Sequence, residues 1–276
     1  MNEWVEKKQK PIPTFRVPNR MLRRHLKPLG LVAIVLLTAC HTPDPYRGLE
    51  AGDLFALATK EFDAAKYESA QRALDRLFIA FPTYERAAEA QLMLAETYVR
   101  RKEYVTAQNE FTRFIDRFPT DPSAPDAALR RCQAAVALSP TVQRDQKYTE
   151  DAEVQCRNVA SDYPGTPSAT AAAQIADLMH LKLAEKLYTI GDYYYRRKFY
   201  ESSITYYQMI EDDYSTTAWA PKALLGIMRA YQKIGYQDLV DETKQKILDT
   251  YPNSEEAKGL ASAGGASAGA PTGDQK

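Results

Sequence analysis

An aromatic residue followed by proline returns along this chain at intervals too regular to belong to one compact core. Phe81-Pro82 recurs as Phe118-Pro119, Tyr163-Pro164 and Tyr251-Pro252, and Tyr214-Ser215 stands where a further pair is expected. The five aromatics are 37, 45, 51 and 37 residues apart. Proline cannot continue a helix and restrains the residue before it, so each pair reads as a stop. Fourteen residues before the first, second and fourth stop lie Tyr67, Tyr104 and Tyr200, each just after a lysine: Lys66, Lys102 and Lys198. Each unit is therefore helix, tight turn, helix, stop. A unit of that size cannot bury its own apolar face, so the units must stack on one another.

The residues inside a unit match the tetratricopeptide pattern of small and aromatic positions. The second unit fits best, with Leu94, Ala95, Tyr98, Ala107, Phe111 and Pro119 at the expected offsets. The first offers Leu57, Ala58, Ala70, Leu74 and Pro82, with Glu61 replacing the aromatic. The fourth has Ile190, Gly191, Tyr194, Ser203 and Tyr207, and the fifth Ile227, Tyr231, Ile247 and Pro252 with Met228 at the small position. Small residues such as Ala95 and Ala107 let antiparallel helices approach closely. The expected fold is all-α, a right-handed α-solenoid of about five helix pairs. Repeats 1 and 2 are placed at 51–124, a lengthened repeat 3 at 125–169, and repeats 4 and 5 at 170–258. The tail from Gly259 to Lys276, rich in Gly, Ala and Ser, has too few apolar side chains to offset its ordering entropy and reads as disordered.

The third unit departs from the pattern. After a helix from about Asp126 to Leu138, the segment SPTVQRDQKYTEDAEVQ adds about eight residues relative to 37. Cys156 takes the position of Phe111, facing the first helix of its unit, and Cys132 lies near the inward small position there. A disulfide needs Cα atoms within about 7 Å. A bond between them and two buried thiols, which pack as small apolar groups, both remain open. No C-x-x-C spacing points to a metal or redox motif.

The most apolar stretch lies before the repeats. Leu29 to Ala39 is eleven residues long, against roughly 20 needed to span a membrane. With Arg23, Arg24, His25 and Lys27 ahead of it, the layout is that of an export signal. Met21 begins a signal of typical length, so residues 1–20 read as an extended start. Leu37-Thr38-Ala39-Cys40 resembles the lipobox of bacterial lipoproteins. That resemblance implies removal of 1–39, a diacylglycerol on the Cys40 thiol, and an acyl chain on the new amino terminus, with 40–50 as a lipidated linker. Eight of 36 basic and two of 36 acidic residues lie in 1–39, which leaves 28 against 34, a net charge of minus six. A basic footprint for nucleic acid is absent.

Little in the chain suggests catalysis. His41 and His180 remain after position 39 and share no helix face, so a zinc motif of the H-E-x-x-H type cannot form. A G-x-S-x-G elbow and a phosphate-cradling glycine loop are lacking. A helical wall-degrading enzyme would need a catalytic glutamate in a compact apolar pocket, whereas the acids here alternate with Lys and Arg. No catalytic residue, metal site or cofactor is expected. Tyr194 and Tyr207 read as repeat core, and Tyr193, Tyr195 and Tyr206 as candidates for a surface.

Together, the lipobox, the linker with Pro43 and Pro45, the five repeat-like units and the lengthened third unit resemble the BamD family of the outer-membrane β-barrel assembly machine. Arg144-Asp145-Gln146, followed by Thr149 and Ala152, resembles that family's third-repeat motif, and Leu183-Ala184 through Tyr193-Tyr194 its entry to the fourth. The similarity runs from about Pro45 to Lys258. It implies a non-enzymatic scaffold, lipid-anchored in the outer membrane and facing the periplasm. The implied partners are a BamA-like barrel subunit, unfolded outer membrane proteins and other lipoproteins of the machine. His41 after the cysteine is compatible with outer-membrane sorting. On repeat position, Tyr67, Phe81, Tyr84 and Tyr98, with Arg100 and Arg101 for a terminal carboxylate, are candidates for a substrate strand. Arg196, Arg197 and Tyr236 are candidates for docking on the barrel subunit. A generic tetratricopeptide lipoprotein serving cell division, secretion or wall enzymes shares every feature read from the residues.

Overall fold

The computed structural model describes residues 46–267 of the chain. The signal segment, Cys40 and residues 268–276 lie outside the described residues. Residues 46–49 belong to a unit apart from the helical body and form a turn in which the Leu49 N–H donates to the Tyr46 carbonyl.

The body is a succession of helices, with no strand among the described residues: α1 (Ala51–Asp63), α2 (Tyr67–Ala80), α3 (Ala87–Arg100), α4 (Tyr104–Arg117), α5 (Ala124–Leu138), α6 (Lys147–Asp162), α7 (Pro167–Arg196), α8 (Tyr200–Asp213), α9 (Trp219–Ile234), α10 (Gln237–Thr250) and α11 (Glu255–Ser267). Each helix packs on the next, which gives a tetratricopeptide-like solenoid of five pairs with α11 against α9 and α10 at its end.

Two turn geometries repeat. Within four pairs the chain reverses through a left-handed residue, Ala65, Lys102, Lys198 or Gly235, at φ 57°, 62°, 65° and 86°. The next N–H in each donates to the carbonyl five residues back: Lys66 to Glu61, Glu103 to Tyr98, Phe199 to Tyr194 and Tyr236 to Tyr231. This closure satisfies a carbonyl that the helix end would otherwise leave bare. Between units, the stop aromatics Phe81, Phe118, Tyr163, Tyr214 and Tyr251 all cap their helices near φ −130°. Each then accepts from an N–H three residues on, at Tyr84, Asp121, Thr166, Thr217 and Ser254. The turn forms as well before Ser215 as before proline.

Inside the fourth and fifth units the packing is tightest around Tyr207, which is 2% exposed. Gly191 of α7 and Gly226 of α9 press on opposite edges of its ring, and a Cβ on either would lie 2.6 Å from a ring carbon. Glycine is needed there for close approach. Burial raises the Tyr207 phenol well above its ordinary pKa.

The third unit has no left-handed closure. An eight-residue connection, 139–146, is fastened instead by a directed chain of hydrogen bonds. Lys182 Nζ of α7 donates to Ser139 Oγ (2.7 Å), which lies 2.6 Å from Thr149 Oγ1. Thr149 Oγ1 donates to Gln146 Oε1 (2.7 Å), so the Ser139 proton must point at Thr149. Gln146 Nε2 then donates to the carbonyls of Thr141 and Arg144, both at 2.9 Å. Lys186 Nζ donates to the Gln143 carbonyl. Beneath the loop, a disulfide joins Cys132 of α5 to Cys156 of α6, with Cα atoms 5.1 Å apart.

Three expectations need correction. The boundary between units three and four does not fall at 169/170, because α7 starts at Pro167, where Thr166 Oγ1 accepts from the Ala169 N–H. The long interval to Tyr214 is taken up by that helix, which runs for 30 residues. The tail is helical as far as Ser267: Ala257 is buried, Leu260 packs on the last core cluster, and the alanines favour helix. Tyr195 is half-buried against the same cluster, and Tyr206, also half-buried, lies stacked on Tyr194 at 5.4 Å.

Replacing Gly226 by alanine should force the Tyr207 ring to move and lower stability by about 1–3 kcal/mol. Thermal unfolding of Gly226→Ala should show this, and adding Tyr207→Leu should restore part of the loss.

Candidate functional site

The six residues expected to meet a substrate strand do not form one site. They are distributed around α3, whose two stripes face different cavities. Leu92, Met93, Glu96 and Arg100 of one stripe line an open groove of about 350 Å³ with Phe62 of α1, Phe111 of α4, and Asp126 and Arg130 of α5. Its walls are apolar and its rim is a balanced ladder. Glu96 accepts from Arg100 Nε (3.1 Å) and Arg130 Nη1 (3.2 Å), while Arg130 Nε donates to Asp126 (3.0 Å). Of the six, Arg100 lies here, and it arrives already paired.

Tyr98 points the other way, into a cleft of about 470 Å³ between α2 and α4. Its hydroxyl accepts from Gln71 Nε2 at 2.9 Å, and Gln71 Oε1 accepts from Arg101, which also pairs with Glu103. Gln91 and Glu110, both more than nine-tenths buried, bond each other at 2.8 Å, and Arg113 completes Glu110. Desolvation, against the bond from Gln71, raises the Asp75 carboxyl above its ordinary pKa, and burial likewise raises Tyr98. Tyr84 belongs to a third cavity of about 560 Å³ beside α1, where the Arg86 guanidinium lies 4.5 Å over the Phe55 ring. Tyr67 packs edge-on against Phe62, and Phe81 is a half-buried helix cap.

The docking candidates fare differently. Arg196, Arg197 and Tyr236 lie at the turns of units four and five, and the structure brings those turns together: Lys198, Phe199, Tyr200 and Ile234 share one shallow cavity. Phe199, 59% exposed, and Tyr193, 46% exposed, flank Tyr194 at ring distances of 6.4 and 5.5 Å and form an aromatic patch, while Tyr236, 53% exposed, stands at the turn of the fifth unit against Tyr231. Arg197 stacks over Tyr193 at 4.5 Å, while Arg196 is held by Asp192 at 3.0 Å. Sequence reasoning missed Phe199 as well as Phe62, Leu92, Met93, Glu96 and Arg130. The spacing 92/93, 96, 100 on α3 and 126, 130 on α5 is one helical face and carried that signal.

His180 is structural. Its Nδ1 lies 2.8 Å from Glu153 Oε1 and its ring 4.6 Å from Tyr214, tying the middle of α7 to α6 and to the end of α8. Among the described residues there is no cluster of His, Cys, Asp and Glu suited to a metal, and no helix long and apolar enough to cross a membrane.

Comparison with known proteins bears on these surfaces. The family model YfiO, described as outer membrane lipoprotein, matches residues 48–248. The chain belongs to the YfiO family. Its match takes in α1 through most of α10, both surfaces included. The chain is 25% identical to the outer membrane protein assembly factor BamD of Rickettsia prowazekii over 70% of this chain and 77% of that protein. It is 29% identical to the BamD of Caulobacter vibrioides over 57% of this chain, spanning about half that relative's length, 52%. Among solved structures, a thermophilic TPR protein of Thermus thermophilus is 16% identical with a TM-score of 0.33, covering 78% of this chain and 98% of that one.

In this YfiO-family chain, Asp75 carries a penalty that depends on pH. A carboxyl whose pKa is raised by folding adds stability below its unfolded value and loses it as pH rises through the folded one. Asp75→Asn removes that loss while keeping the bond from Gln71. The variant should be at least as stable as the wild type at pH 7, and the difference should shrink as the pH is lowered toward the ordinary carboxylate pKa. Melting curves across that range test it.

Proposed function

We propose that this chain is a lipid-anchored scaffold that helps assemble β-barrel proteins into the outer membrane. The observation that carries this reading is the YfiO-family match over 48–248, together with relatives named as outer membrane protein assembly factors. The anchor is Cys40. One acyl chain holds a protein to a membrane only marginally, whereas two or more, at about 0.8 kcal/mol per buried methylene, hold it stably. The chain then faces the periplasm and works by binding and release, without catalysis.

The first units take the incoming unfolded barrel segment. An extended segment offering an aromatic side chain fits the apolar wall of Phe62, Leu92 and Met93, with pockets for alternate side chains and few enough contacts to let go. The last two units hold the BamA-like subunit. Phe199 and Tyr236 are exposed anchors of the kind that dominate interface energy, and Arg197 and Lys198 at the rim steer approach.

Affinity purification of the full-length chain from detergent-solubilised envelopes of its host tests the reading. A barrel protein with repeated periplasmic domains should be recovered in near-equal amount. Recovery of division or secretion components in its place would favour a generic envelope scaffold. Phe199→Ala combined with Arg197→Glu should reduce recovery of the barrel protein by about tenfold or more. Arg196→Glu alone should change it little, and Met93→Glu should leave it intact while weakening crosslinking to unfolded barrel segments.

A further inference from the structure

The third unit contains a bond that the folded chain gives no means to make. Cys132 and Cys156 are both 0% exposed, and Ala172 and Ala176 of α7 pack over them together with Ala128 and Val159. Forming or breaking a disulfide requires another sulfur to approach one of the pair directly. With three helices closed around the bond, neither sulfur can be reached.

The bond also stands where two other features of the repeat are missing. Cys156 lies four residues after the buried Ala152, the offset that Leu74, Phe111 and Tyr207 hold after Ala70, Ala107 and Ser203. It is a smaller side chain than those three, and its link to Cys132 occupies the space. The third unit is, besides, the one whose helices are joined by the eight-residue connection 139–146 and not by a left-handed turn. A covalent link across that unit, with a sequence separation of 24, restricts the unfolded chain where the turn does not.

We propose that the chain is a client of a disulfide-donating thiol oxidoreductase, which must act on Cys132 and Cys156 before α7 closes over them. The thiolate of one cysteine attacks the oxidant's disulfide, a mixed disulfide forms, and one oxidant sulfur leaves as thiolate. The thiolate of the second cysteine then displaces the other. The chain's two thiols are oxidised to a disulfide, the oxidant's disulfide is reduced to a dithiol, and the two protons lost by the cysteines end on the oxidant's sulfurs. Packing of α7 afterwards makes the bond a latch, out of reach of thiol reductants. An outer-membrane family places the chain outside the reducing cytosol, where such bonds persist. The inference is independent of which protein the scaffold binds.

Two measurements on the wild-type full-length chain decide it. Alkylation of the exported, denatured chain without reduction, read by mass spectrometry, should leave Cys132 and Cys156 unmodified and linked. Alkylated Cys132 and Cys156 would overturn the proposal. The reduced chain should then be reoxidised by glutathione disulfide about 100-fold more slowly when folded than in concentrated urea, since opening of the unit must come first. Equal rates would remove the requirement that oxidation precede closure. As a further check, Cys132→Ala with Cys156→Ala should melt roughly 5–10 °C lower than the oxidised wild type. An unchanged melting temperature would show that the bond is no latch.

Discussion

Close approach of two helices at a small residue, with a larger side chain one turn later filling the space it leaves, underlies the first four units of this molecule. Ala58 and Ala70, Ala95 and Ala107, and Ala152 are buried without remainder, as is Ser203, the partner of the buried Gly191. Four residues beyond the second-helix position come Leu74, Phe111, Cys156 and Tyr207, each at most 2% exposed. The fifth unit departs from this step: at the same two positions it has the buried Val240 and the half-buried Lys244. The helical period puts small and large on the same face, so one register error would replace a void by a collision. Everything else, including the turns and the outward stripes, is positioned by this register.

The repeat was legible because this register leaves a spacing in the sequence. The stops at Phe81, Phe118 and Tyr251 and the small positions at Ala95 and Ala107 place the helices to within a few residues. The turns inside the units were harder to read, since three of the four left-handed positions are Ala65, Lys102 and Lys198, not glycine. The extra residues of units three and four were ambiguous for a different reason. An added stretch can become loop, as at 139–146, or helix, as in α7, and only the packing of Ala172 and Ala176 on the third unit decides for helix. The candidate site was half legible. Arg197 and Tyr236 could be placed at turns because turns are countable, while Phe199 was hidden beside Tyr200 in a turn motif. The N-terminal candidates share no single cavity because aromatic residues were gathered by unit and not by helix face, so Tyr98 and Arg100, two residues apart, were assigned to one site and line different cavities on α3.

The 30 residues of α7 make it about 45 Å long, and it packs against α5 and α6 at one end and α8 and α9 at the other. Its polar contacts are unevenly placed. Lys182 and Lys186 hold the third-unit loop, His180 meets Glu153 and Tyr214, and the helix ends at the aromatic patch with Tyr193 and Arg196. One rigid element therefore carries the loop, the centre and the candidate docking edge, without a turn between them.

The stop turns make this arrangement extensible. All five aromatic caps are followed by the same three-residue reversal, whether the unit before them is short, swollen by a loop or stretched by helix, and whether proline follows or serine. Insertions are thus absorbed upstream of the cap, and the next unit begins from a constant junction. Such a chain separates what can vary in length from what keeps its geometry: the interior of a unit can grow by loop or by helix, while the join stays the same.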